Sequence, residues 1–193
     1  MNFSENKIKI FIITLSVVLI FLFGTIILLP INRTHSQNVT GLNEDKLVLL
    51  ANKNRVDIGL SPLTYDINLQ QAAIAKAKDM ASNDYFEHFS PAGKTPWEFM
   101  VENNYSYTIA GENLAMDFTS ENDIEQAWLD SPTHRANILN PEFENIAIAV
   151  EKDNFEGRET YLVVQMFGKK NQGLSATTNL LYYKIKTILG FNF

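Results

Sequence analysis

The chain has 193 residues, 46% of them apolar and 11% aromatic, which is enough for one packed domain with short extensions. A formal charge of −6, with no stretch that concentrates Lys and Arg, excludes a general nucleic-acid binder, because several phosphates would have to be neutralised. The absence of cysteine excludes disulfides, thiolate catalysis and Cys-based zinc sites.

Residues 1–9 form a short segment carrying Lys7 and Lys9. From Ile10 to Ile31 there is no charge, and the run is nearly unbroken Ile, Leu, Val and Phe. At ~1.5 Å per residue it spans a hydrocarbon core of ~30 Å, so a transmembrane helix is expected. It exceeds the ~7–15 apolar residues of a signal peptide and no small-x-small cleavage site follows, so an uncleaved signal anchor is favoured over a secreted product. Lysines precede the run and only Arg33 closely follows it, which places the N-terminus in the cytoplasm and the rest outside a cell membrane crossed once. Residues 32–43 are polar and aperiodic, as in a linker.

A domain is expected over 44–168. Its first helix begins at Glu44, with Leu47, Leu50, Ala51 and Asn54 on one side, and stops at Gly59 before Pro62. Leu69, Ala72, Ala73, Ala77 and Met80 recur at steps of three and four, giving a second helix whose other side carries Gln70, Lys78 and Asp79. Thr95-Pro96-Trp97-Glu98 is a capping box that starts a third helix. Ser120 and Asp123 repeat the arrangement before a fourth, which Pro132 ends or bends. The period then changes. Ile146, Ile148 and Val150 alternate, and Tyr161–Phe167 is rich in β-branched and aromatic residues, so two strands joined by a turn at 153–157 are expected. Leu162-Val163-Val164 is apolar on both strand faces, which calls for helices on both sides of the sheet. The fold class is therefore α+β, a three-layer α–β–α sandwich. In the tail, 169–193, the apolar side of 180–193 with Lys184 and Lys186 suits an amphipathic segment at a membrane surface.

Of the three histidines, His35 lies in the linker, while His88 and His134 lie in the domain. His88 follows the second helix in a loop held by Pro91 and Gly93, and His134 sits at the bend after Trp128. Glu112 lies in Gly111-Glu112-Asn113, where glycine permits close backbone approach and Asn113 can bridge neighbouring groups. A carboxylate beside imidazoles can orient them, accept their protons or complete a metal shell. The spacing does not itself assemble such a site, and the His-Glu-x-x-His zinc pattern is absent. Ser90 and Ser131 lie near histidines in sequence, but turn and cap roles account for both.

Six ordered motifs together resemble a bacterial CAP domain, of the cysteine-rich secretory protein, antigen 5 and pathogenesis-related 1 superfamily, also called SCP-like. They are Asn52-Lys53-x-Arg55 with Gly59–Leu63, Asp79-Met80, His88-Phe89-Ser90-Pro91-x-Gly93-x-Thr95-Pro96, Gly111–Ala115, Trp128–Leu139 with Ser131-Pro132-x-His134-Arg135, and Val164–Gly168. The resemblance implies an α–β–α sandwich with a central cavity, lined in eukaryotic relatives by two His and two Glu that hold a divalent cation such as zinc. His88 matches the first His of that set and Glu112 the Glu of the Gly-Glu-Asn motif. The second Glu has only Asp130 or Glu125 as stand-ins, and Leu162-Val163-Val164-Gln165 stands where the second His would lie. His134 belongs to the Ser-Pro-x-His-Arg motif and is a provisional further member.

The expected function is a membrane-anchored extracytoplasmic module, non-catalytic, that binds a divalent cation, lipid, glycan or protein. The ligand residues would be His88, Glu112, Asn113 and His134, with His88 and His134 as provisional ligands of a cation, zinc by preference. One alternative is a protease-like hydrolase in which His88 and Glu112 activate water, directly or through a metal. The other is a purely structural envelope protein.

Overall fold

Local sequence signals fix most of the elements in a computed structural model, which describes residues 41–171, 173 and 181. The expected membrane span at 10–31, the segment before it, residues 32–40 of the linker and nearly all of the tail lie outside the described residues. Among the described residues no helix is long and apolar enough to cross a membrane.

Helix α1 (Glu44–Asp57) starts at Asn43, whose side chain accepts the Lys46 N–H, and the chain then turns at Gly59, φ 82°. It buries Leu47, Ala51 and Arg55, while Leu50 and Asn54 are half-buried. After strand β1 (Thr64–Tyr65), Asp66 caps helix α2 (Ile67–Ser82) by accepting from two backbone N–H groups. All five apolar residues of the expected stripe are buried on α2. Gln70, expected on its polar side, is instead buried: its amide brackets Ile148 of the sheet, donating to the carbonyl at 2.8 Å and accepting the N–H at 3.3 Å.

Helix α3 (Pro96–Glu102) has the full Thr95–Glu98 capping box. Helix α4 (Glu121–Asp130) departs from expectation, because Ser120 occupies its N-cap without a side-chain bond. Glu121 of the first turn instead reaches α1, accepting from the Asn43 N–H and from Lys46. Pro132 does not merely stop α4. It sits in the first turn of a further helix, α5 (Pro132–Ile138), which its fixed φ suits.

Strand β2 (Tyr107–Met116) precedes α4, and β3 (Asn145–Phe155) and β4 (Arg158–Lys170) follow α5. They form a four-stranded sheet in the order β1-β3-β4-β2, with β1 parallel to β3 and the other pairs antiparallel. The β3–β4 turn is two residues long, Glu156 (φ 51°) and Gly157 (φ 78°), the left-handed pair that matches strand twist.

The strand period separates two cores, one on each side of the sheet. Leu114, Ala147, Ala149, Leu162, Val164 and Met166 pack with α2 and α3. Their neighbours Ala115, Ile146, Ile148, Val150, Val163 and Phe167 pack with α1, α4 and α5. Helices therefore cover both faces, as the apolar run at 162–164 requires. Trp128 of α4 ties its layer to the edge strand, its indole N–H donating to the Leu114 carbonyl at 2.9 Å.

Candidate functional site

Strand β2, which no alternating pattern announces in the sequence, carries the centre of the site. Glu112 shares a face with Leu114 and so points toward the α2 layer, while Asn113 shares the opposite face with Ala115. On the α2 side the loop after that helix presents His88, whose Nδ1 lies 2.7 Å from Glu112 Oε1. The imidazole is 50% exposed and the carboxylate 1%. One proton shared between them satisfies both atoms, donated by Nδ1 when Glu112 is ionised. Glu112 Oε2 is buried with no hydrogen-bond partner among the described residues. Burial pushes the Glu112 carboxyl above its ordinary range, and the His88 bond and the charge of Lys76 oppose that rise.

Lys76, which the sequence did not single out, lies beneath the pair. It is fully buried on α2, and its ammonium donates to the Tyr85 hydroxyl (3.1 Å) and to the carbonyls of Glu87 (2.7 Å) and His88 (2.9 Å). Tyr85 passes the interaction on by donating to Asp79 Oδ2 at 2.5 Å. Desolvation lowers the Lys76 pKa, against the charges of Glu112, Asp79 and Glu87.

On the other face Asn113, fully buried, donates to the His134 carbonyl (3.1 Å) and to Gln165 Oε1 (2.9 Å). Asn137 of α5 donates to Asn113 Oδ1 (2.8 Å) and to the Glu112 carbonyl (3.1 Å). This amide network holds α5 against β2 and thereby sets the backbone of Glu112. It explains Gly111, where a Cβ would meet the Phe143 ring at 2.8 Å and Asn137 Oδ1 at 3.0 Å. Gly111→Ala is expected to cost about 1–3 kcal/mol through overpacking, measured by urea unfolding.

His134 is half-buried on α5, and burial, then the charge of His88, hold its pKa below the ordinary value. It shares an electrostatic neighbourhood with His88. Neither stand-in for a second Glu is hydrogen-bonded to the pair: Glu125 faces α1 and accepts from Asn54 at 2.7 Å, and exposed Asp130 accepts from Gln126 at 2.9 Å. Among the described residues no group of three His, Asp or Glu side chains converges to hold a metal. Zinc sites use three or four protein ligands, so this donor set does not fit a resident zinc. Of the two serines, Ser90 is held in a turn, while Ser131 occupies the N-cap of α5 without the expected side-chain cap bond. Ser90 Oγ accepts the Lys94 N–H at 3.0 Å, and Ser131 Oγ lies 3.2 Å from Thr133 Oγ1.

Comparison with known proteins places the chain in a family. The chain is 41% identical over 105 residues to YkwD, an uncharacterized protein of Bacillus subtilis (strain 168), covering 54% of this chain and 41% of that protein. It is 28% identical over 110 residues to YlbC, an uncharacterized membrane protein of the same organism, covering 57% and 32%. The chain thus spans less than half the length of either curated relative. Among solved structures, an extracellular protein containing an SCP domain from Bacillus anthracis str. Ames matches with TM-score 0.58 and 30% identity, covering 66% of this chain and 40% of that one. An outer surface protein from Borrelia burgdorferi shares the fold, with TM-score 0.56 and 24% identity over 66% of this chain and 92% of its own. The Cysteine-rich secretory protein family profile matches residues 50–167. With that match across most of the domain, the chain belongs to the CAP family.

Proposed function

We propose that the domain is a non-catalytic binding module, and that its ligand donates a hydrogen bond to Glu112. The observation that carries this reading is the buried, unpartnered Glu112 Oε2 beside a half-exposed His88. Buried polar atoms in folded proteins find a partner, and an orphaned acceptor costs about 1–3 kcal/mol. A hydroxyl, amide N–H or ammonium group would relieve that cost, with the exposed imidazole marking the way in. Glycans, lipid headgroups and peptides all present such donors. The descriptions of two relatives, one as an extracellular and one as a membrane protein, support an extracytoplasmic position, with residues 10–31 as the anchor.

A hydrolase is the second reading, favoured by the 2.7 Å His88–Glu112 contact, since a carboxylate-oriented imidazole can activate water. Against acyl-enzyme chemistry, the hydroxyls of the two serines pair with the Lys94 N–H and with Thr133 Oγ1 rather than with a histidine. The full chain in detergent micelles, incubated with peptide, ester and glycan substrates, should give no turnover above buffer. Turnover abolished by Glu112→Gln would replace the binding module with an enzyme.

A further inference from the structure

The binding reading uses His88 and Glu112 but leaves the buried cation beneath them without a role. A fully buried lysine is uncommon unless paired, because desolvating an ammonium is costly. Here its three N–H donors meet three oxygens: one hydroxyl and two consecutive main-chain carbonyls, of Glu87 and His88. The ammonium also lies 4.5 Å from the centroid of the Tyr85 ring. The carbonyls belong to the residue whose imidazole meets Glu112 and to the one before it. The hydroxyl leads to Asp79, one helical turn beyond Lys76, so a rigid helix supplies both ends of the relay. Segment 87–89 is a series of bends without helix or strand pairing. Its carbonyls have no ladder to join, and Lys76 supplies the donors that a neighbouring strand would otherwise provide.

We propose that Lys76 is a positioning residue. By holding the Glu87 and His88 carbonyls from inside the core, it fixes the loop so that Nδ1 of His88, and not Nε2, meets Glu112. Its positive charge also lies where the Glu112 carboxylate needs compensation. This rests on the His88–Glu112 pair being the site proposed above, but it concerns the geometry of the pair and holds whatever ligand is bound.

The test follows the imidazole tautomers. In neutral histidine, the ring nitrogen that carries the proton is set by the partner of the ring. Long-range ¹H–¹⁵N spectra of the full chain in detergent micelles at pH 8 should show His88 protonated on Nδ1. Lys76→Met keeps an unbranched stem, one atom shorter, but leaves both carbonyls without their donor. It should shift His88 toward the Nε2-protonated form while leaving the His134 ring signals in place. A purely structural lysine would lower thermal stability without moving the tautomer. A folded Lys76→Met protein with His88 unchanged would overturn the proposal. If that variant does not fold, the parent decides: scalar couplings from Lys76 Nζ to the carbonyl carbons of Glu87 and His88 are expected, and their absence at low temperature would overturn it. Neither measurement involves a ligand, so failure of the binding reading and failure of this one are separately visible.

Discussion

Replacing Arg55 with methionine should destabilise the domain by about 3–5 kcal/mol, a fall of roughly 10–20 °C in Tm. The guanidinium is 1% exposed, and its acceptors are all main-chain carbonyls: Ser61 (3.0 Å), Ile138 (2.8 Å), Asn140 (2.7 Å) and Phe143 (3.5 Å). These come from the loop after α1, the end of α5 and the segment leading into β3, three stretches with few mutual backbone bonds. One planar fork pins them together. Methionine fills the volume but orphans the carbonyls, and each buried orphan costs about 1–3 kcal/mol unless water reaches it. Arg55→Lys keeps the charge without the fork and should recover less than half of the loss. A methionine variant that melts within about 2 °C of the parent would remove Arg55 from this role.

The second large effect is a stability that falls as pH rises from about 4.5 to about 7. Glu125 is 4% exposed, its Oε2 has no partner among the described residues, and burial, opposed by the Asn54 bond, pushes its carboxyl up from 4.5 to about 7. Between those values the folded chain holds a proton that the unfolded chain has released, so raising the pH favours unfolding. The contribution is fully present below 4.5 and lost above 7, and amounts to up to about 3 kcal/mol. Glu112, also shifted upward, acts in the same direction. Glu125→Gln imitates the protonated acid and should flatten most of this slope, leaving the variant more stable than the parent at pH 7.5. Equal slopes from pH 4.5 to 7 in urea unfolding would mean that Glu125 ionises freely in the folded state.

The helices were legible because each signal is local. The Ala-rich stripe of α2 and the Thr95–Glu98 box act over a few residues, and both appear as expected. Strand β2 was hidden by its own polar residues. Gly111, Glu112 and Asn113 interrupt any β pattern, yet a site and its supporting amide network need a strand with polar side chains on both faces. Lys76 was missed for a related reason, since lysine on a helix reads as solvent-facing until the loop that folds over it is known. Contacts such as His88 to Glu112, 24 positions apart, are set by the packing of a loop on a sheet, and spacing does not encode them. The family resemblance supplied that pair. It also carried motifs whose role proves structural: Asn52 brackets Leu63 with two bonds of 2.9 and 2.7 Å, and Arg55 staples three segments.

The central claim is that Glu112 receives a ligand beside His88. Its most direct test is a titration of the full chain in detergent micelles, parent and Glu112→Gln in parallel, with the ¹⁵N signals of both His88 and His134 rings followed throughout. The probes are a soluble oligosaccharide mixture, phosphatidylglycerol added as mixed micelles, a peptide mixture and Zn²⁺. At least one of the three organic probes should shift His88 saturably in the parent, and Glu112→Gln should weaken that binding by roughly 10- to 100-fold, the worth of a hydrogen bond to a charged acceptor. Binding of equal strength in both proteins, or no probe that moves His88, would contradict the account.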